Sequence, residues 1–449
     1  MRTFQLTFLK NSVRVFILSV SILLLLWLSL PLLPIFAKSE TQTFEQVWQT
    51  INDNFYDPNF NGVDWKSIKK QYQPQLTKAN STKDVAVVLN QMLSQLKSSH
   101  TRFYTQEEPA YYQLLGIFLP QNSDLNKQLK KFFPKGIEYT DIGLFTKDIN
   151  GKTFISSILD ESPAAKAGLK VGDQILSVDG SSYHPIRSFT GKAGQTVKML
   201  IQRSPEPSSQ QEITVVPKIF DPSTMFLEAQ TASIKLIEQD GKKVGYIHIW
   251  SNAADPYQQK LQDELIYGRL KNADGLVLDL RDGWGGGDIS YLNIFTAKHN
   301  LSITSIPRNQ RRYTYNYQWK KPVVMLVNSG SRSSKEILAF GFQQSKIGPV
   351  IGTQTAGAVL AGRPYLMRDG SLLYVAVTNV FVNGNQRLEG KGVIPDINIP
   401  FPLEYAQGVD PQIQTAIETV LKAKFSPIVE EEFRSQNSGV RIKTLADSL

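Results

Sequence analysis

A chain of 449 residues is longer than one hydrophobic core usually organises, so two or three folded units are expected. A hydrophobic fraction of 41% with 20% charged residues excludes wholesale disorder, and the net charge of +9 comes from Lys and Arg scattered among acids, which argues against a nucleic-acid partner. The absence of cysteine rules out a thiol nucleophile, a thiolate zinc site and disulfides, and His100, His184, His248 and His299 include no pair at metal-ligand spacing.

The first segment reads as a targeting signal. Arg2, Lys10 and Arg14 precede an uncharged apolar run from Val15 to Leu33, the pattern of a signal peptide or membrane anchor over residues 1–37. Pro31, Pro34 and Ala37 resemble a cleavage region, but the run approaches the ~20 residues that a spanning helix needs, so cleavage and retention both stay open. Export, to a periplasm or an equivalent lumen, follows from either.

Residues 40–108 read as a helical unit, with Phe44, Val47, Ile51 and Phe55, then Val85, Val88, Leu89, Met92 and Leu96, at helical spacing. The stretch from there to about Lys135 shows no clear period. Residues 138–217 read as a second, β-rich unit. Ser204 to Ser209 forms a hairpin tip between its last two strands. Residues 218–405 alternate helices with the buried strands Val244 to Ile249, Gly275 to Leu280 and Pro322 to Val327, an α/β core. Residues 406–449 comprise a helix over Asp410 to Lys424 and a polar tail.

Within the second unit, Ile142-Gly143-Leu144-Phe145, Pro163 to Leu169 and Gly172-Asp173-Gln174-Ile175-Leu176 resemble a PDZ domain. That resemblance implies a loop whose N–H groups receive a substrate carboxylate and a sheet edge to which a peptide adds as a strand. In the third unit, Gly330-Ser331-Arg332-Ser333-Ser334-Lys335-Glu336-Ile337 follows a buried strand and opens a helix. On position alone Ser333 is a helix N-cap or a nucleophile whose neighbouring N–H groups stabilise an oxyanion.

The wider pattern is similar to the tail-specific, C-terminal-processing serine proteases, whose nucleophile segment matches residues 330–337. The resemblance implies a multidomain α/β fold with Ser333 as nucleophile. Asp279-Leu280-Arg281, followed by the turn Gly283-Trp284-Gly285-Gly286-Gly287, matches the family's glycine-rich turn. It implies an oxyanion N–H from Gly285 or Gly286 paired with that of Ser334.

At the position of the family's general-base lysine this chain has Ala358. Another base must serve Ser333, or the protein is an inactive relative that binds peptides or ligands. Ser99-His100, with Glu389 ahead of Gly392-Val393-Ile394-Pro395-Asp396-Ile397, resembles the tricorn-type arrangement and implies catalytic roles for Ser99, His100 and Glu389. A neutral imidazole near pKa ~6.5 suits such a base, and pairing with Glu389 is expected to raise that value. His248 and Lys391 are the second and third candidates. Such a site acts on polypeptide substrates and needs neither metal nor organic cofactor.

Overall fold

The computed structural model describes residues 33–287, 289–296, 302–306, 313–316 and 318–423. The apolar run expected to act as a targeting signal, up to residue 32, and the polar tail from residue 424 lie outside the described residues. No helix among the described residues is long and apolar enough to cross a membrane.

The expected N-terminal helices form at Leu33–Asn54, Trp65–Tyr72 and Thr82–Ser94. The second and third are N-capped by Asp64 and Ser81, whose side chains accept from the N–H groups of Ser67 and Asp84. Phe44, Val47 and Ile51 on the first meet Val85, Leu89 and Met92 on the third, burying the apolar stripes that the periodicity marks. These helices do not close their core alone. Phe103, Leu373 and Val375 complete it, because strand β1 (Arg102–Tyr104) pairs antiparallel with a strand more than 260 residues later in the chain, Leu372–Thr378. That pairing holds the segment just before β1, which carries Ser99 and His100, against the C-terminal half of the chain.

The stretch without clear period contains helices Pro109–Phe118 and Ser123–Leu129. The former buries Tyr111, Tyr112, Leu114, Leu115 and Ile117, so it is apolar nearly all round and offers no amphipathic stripe to detect.

The second unit is a five-stranded antiparallel sheet in the order β2-β3-β4-β5-β6: β2 Leu144–Ile149, β3 Lys152–Ile158, β4 Gln174–Val178, β5 Val197–Gln202 and β6 Gln210–Val215. The expected hairpin tip joins β5 to β6, and β2 is an edge strand.

The third unit is built on a six-stranded sheet. Its strands are β7 Lys235–Gln239, β8 Lys242–His248, β9 Gly275–Asp279, β10 Val323–Val327, β11 Val350–Gly352 and β14 Ile397–Asn398, ordered β14-β11-β10-β9-β8-β7. All pairs are parallel except β7 with β8. A parallel sheet covered on both faces needs strands buried throughout, as β9 and β10 are. The strands β12 (Ala361–Leu366) and β13 (Leu372–Thr378) form the hairpin that receives β1.

One buried ionic cluster fixes where β9 ends. Arg281 contacts Asp279 at 2.6 Å and reaches Asp410 at 2.8 Å, the N-cap of helix Pro411–Lys422, while the Tyr246 hydroxyl donates to Asp279. Burial pushes the Asp279 carboxyl up, but the adjacent Arg281 guanidinium outweighs it and holds the group ionised, well below the usual carboxylate range. The Asp-Leu-Arg motif thus anchors the start of the glycine-rich turn.

Candidate active site

Ser333 sits where β10 gives way to helix Ser334–Gln344, at the C-terminal ends of the parallel strands. Its backbone is at φ +59°, ψ −130°, a conformation that a non-glycine residue adopts at a cost and that surrounding bonds must enforce. Those bonds are present. The Ser333 N–H donates to the Ala358 carbonyl at 2.7 Å and to the Glu336 carboxylate at 3.2 Å. Glu336 also accepts from the Thr355 hydroxyl and the N–H groups of Gly357 and Ala358, at 2.6 to 2.7 Å. The position of the family lysine therefore contributes a backbone carbonyl that braces the serine, and no amine.

The glycine-rich turn lies directly against this bend. The Asn328 side chain donates to Asp282 and accepts its N–H, and the Ser331 hydroxyl donates to the Leu280 carbonyl at 2.9 Å. A Cβ on Gly285 would stand 2.7 Å from the Ser333 Cβ and 2.9 Å from the Ser334 nitrogen, so only glycine permits the approach. Of the expected oxyanion donors, the Gly286 N–H is engaged by the Ser334 hydroxyl at 2.8 Å, and that hydroxyl donates in turn to Asn252. Gly285 and Ser334, the latter at the first turn of the helix, lie against Ser333.

His100 and Ser333 line one cavity together with Gly285, Trp284, Arg332 and Ala358. Among the described residues no hydrogen bond joins the His100 ring to the Ser333 hydroxyl. The other ring nitrogen is held: Nδ1 lies 2.8 Å from the Ser99 hydroxyl. That hydroxyl donates to Glu389 at 2.9 Å, so its lone pair accepts from Nδ1–H and leaves Nε2 with a free lone pair. Glu389 further accepts from the N–H groups of Ser99 (3.1 Å) and Val359 (2.7 Å).

The His100 ring is buried, with the Tyr374 ring 5.5 Å away. Its pKa is lowered to about 4, chiefly by burial, with Glu389 opposing and Arg332 reinforcing the shift. Glu389 does push the value up as expected, but Ser99 stands between carboxylate and ring and burial outweighs that push, so the net shift is downward.

The other base candidates fall elsewhere. The His248 Nε2 donates to the Arg281 carbonyl at 2.8 Å, and the ring stacks on Trp250 at 3.8 Å between centroids. Lys391 is exposed, and its carbonyl receives the Gln354 side chain.

The loop Ile142 to Phe145 enters β2 with Gly143 at φ +80°. Its first amide is already occupied: the Ile142 N–H donates to the carboxylate of buried Asp141 at 2.6 Å. Burial pushes Asp141 up to about 7, against the opposing bonds from the Ile142 and Gly143 amides. The Phe145 ring stacks on Trp250 at 5.7 Å, Trp250 donates to Asp160 at 3.0 Å, and Ser157 bonds Asp282. The β-rich unit is therefore seated on the glycine-rich turn itself.

Sequence reasoning missed Arg332 and Lys335. The latter is fully buried, its Nζ donating to the carbonyls of Trp250 (3.2 Å) and Asp282 (2.6 Å), and burial lowers its pKa to about 7. A lysine at the first turn of a helix reads as a surface charge, and only the density of small and polar neighbours at 329–334 hints otherwise.

Three family descriptions match the chain: peptidase family S41 at residues 243–399, the tricorn protease C1 domain at 36–94, and the PDZ domain at 154–203. Tricorn protease homolog 1 of Streptomyces coelicolor is 27% identical over 85% of this chain and 35% of its own length. The carboxyl-terminal-processing protease of Synechocystis is 24% identical over 84% of this chain and 86% of its own. CtpB of Bacillus subtilis, a carboxy-terminal processing protease, is 29% identical over 64% and 62%. The chain spans about a third of the length of the tricorn homologues it matches. The chain thus carries an S41 match and a PDZ match, and over most of its length it is similar to carboxyl-terminal-processing proteases.

Proposed function

We propose that the protein is an exported endopeptidase that hydrolyses peptide bonds through an acyl-enzyme at Ser333, with His100 as general base. The observation that carries this reading is the convergence on one cavity of a strained serine and a histidine whose Nδ1 is fixed through Ser99 to Glu389. His100 Nε2 takes the Ser333 proton as the hydroxyl attacks the scissile carbonyl, and the N–H groups of Gly285 and Ser334 receive the oxyanion. The imidazolium then protonates the leaving amine, and water reverses the sequence to release the acid. The bond from Nε2 to the hydroxyl forms as substrate enters, since catalytic hydrogen bonds often tighten only then.

The PDZ-like unit supplies substrate capture of polypeptide ends or extended segments. Edge strand β2 supports addition of an extended segment as a further strand, and its seat on the glycine-rich turn brings that segment toward Ser333. The apolar run at 15–33 supports action outside the cytoplasm, in a periplasm or equivalent lumen, with membrane attachment through the same run.

A fluorophosphonate probe tests the central point. Rapid labelling that maps to Ser333 and vanishes in Ser333→Ala is expected. A folded protein that resists labelling would instead favour a peptide-binding protein without turnover.

A further inference from the structure

Arg332 precedes the nucleophile and lines the same cavity. Its guanidinium lies 5.0 Å from the centre of the Trp284 ring, a contact that orients it without neutralising it. Its Nε is buried without a hydrogen-bond partner, and among the described residues the head group forms no ion pair and no hydrogen bond. The nearby carboxylates have other donors: Glu389 has Ser99 and Val359, Glu336 has Thr355, Gly357 and Ala358, and Asp282 has Asn328 and Ser157. The remaining wall is largely apolar, formed by Leu114, Ile117, Phe118 and the rings of Tyr104 and Tyr374.

An unpaired guanidinium beside apolar walls is a poor arrangement for the empty site and a good one for a carboxylate, which accepts its fork of N–H groups bidentately. We propose that Arg332 is a specificity-determining residue that makes this cavity read a carboxylate carried by the substrate next to the scissile bond. The inference rests on the peptidase reading above. The carboxylate has two possible sources, an acidic side chain seated between the apolar walls or the free C-terminus of a chain cleaved close to its end. The field of Arg332 is felt across the cavity: burial raises the pKa of the Tyr104 and Tyr374 hydroxyls while Arg332 pulls it back down, and at His100 the same charge adds to burial in disfavouring the protonated ring. Binding of the carboxylate would partly cancel that field at the base.

The test uses the full-length protein. Digestion of unfolded β-casein, with cleavage sites mapped by mass spectrometry, is expected to concentrate cuts beside Asp, Glu or chain ends. Synthetic peptides spanning one mapped site are then compared with their Glu→Gln, Asp→Asn and C-terminally amidated versions. Loss of the reading carboxylate is expected to lower kcat/KM by on the order of tenfold or more, mostly through KM, the worth of a hydrogen bond to a buried charge. The side-chain arm and the amidation arm identify which source is used.

Arg332→Gln should abolish the discrimination, and Arg332→Lys should retain part of it. If Arg332→Gln fails to fold, the wild-type ratios and the lysine variant decide alone. Equal kcat/KM for the acidic and neutral peptides, or undiminished discrimination in Arg332→Gln, would overturn the proposal while leaving the peptidase reading intact. Absence of any cleavage, together with absence of probe labelling, would overturn both.

Discussion

The pH at which His100 gains a proton separates this active site from an ordinary exposed histidine. Burial brings its pKa from 6.5 to about 4. At pH 5.5 a base with pKa 4 is about 97% neutral, whereas one at 6.5 is only about 9% neutral. The acid limb of kcat/KM, which reports the free enzyme, should therefore hold near its plateau at pH 5.5 and break well below pH 6. Initial rates on a fluorogenic peptide at constant ionic strength, with folding checked at each pH, supply the profile. A midpoint at or above 6.5 would refute both the burial argument and its sign.

The same shift has a consequence for stability. The folded pKa lies below the unfolded one, so between pH 6.5 and about 4 the unfolded chain binds the proton that the folded chain refuses. Stability from this group is fully present above 6.5 and falls as the pH drops toward 4, by about 3 kcal/mol in all. Urea denaturation of wild type and His100→Ala should show a stability difference that narrows across that window. A difference independent of pH would contradict the shift even if activity followed it.

Further outcomes follow from single contacts. Gly285→Ala drives a Cβ into the Ser333 Cβ and the Ser334 nitrogen, so kcat should fall by on the order of 10²- to 10³-fold, and a folded variant with normal kcat would remove Gly285 from the oxyanion site. Glu389→Gln breaks the hold on Ser99 and removes the charge that raises the His100 pKa. Turnover should drop on the order of 10²- to 10⁴-fold with the residual acid limb displaced to lower pH, and steady-state profiles distinguish this from simple unfolding. Because the Asp141 carboxylate occupies the Ile142 amide, binding to a doubly substituted Ser333→Ala, Arg332→Gln protein, which leaves the β-rich unit as the carboxylate reader, should differ little between free-acid and amidated peptides. Asp141→Gly should create a preference for the free acid, and a strong preference already present in the parent protein would show that Asp141 is displaced. His248→Gln, away from the Ser333 cavity, should leave the acid limb where it is.

What could be read in the sequence was local or motif-borne, and what could not was set by burial. The nucleophile segment is legible because strand, bend and helix follow one another within about twenty residues, and the bend carries the small residues that close approach requires. Ser99 and Glu389 are 290 positions apart, and no spacing rule joins them. Only resemblance suggested the pair, and the pairing of β1 with β13 supplies the physical reason that they meet. A sequence also names neighbours without saying how dry they are. Glu389 beside a histidine predicts a raised pKa, yet Tyr374 and the interposed Ser99 make desolvation the larger effect. Arg332 and Lys335 make the same point in opposite directions. Each reads as a solvated charge flanking a helix start, but one is fully buried and satisfied by two carbonyls, while the other stands in the catalytic cavity with its charge unanswered. Whether a charge is answered depends on which distant elements pack around it. The carboxylate expected to answer Arg332 is therefore sought in the substrate.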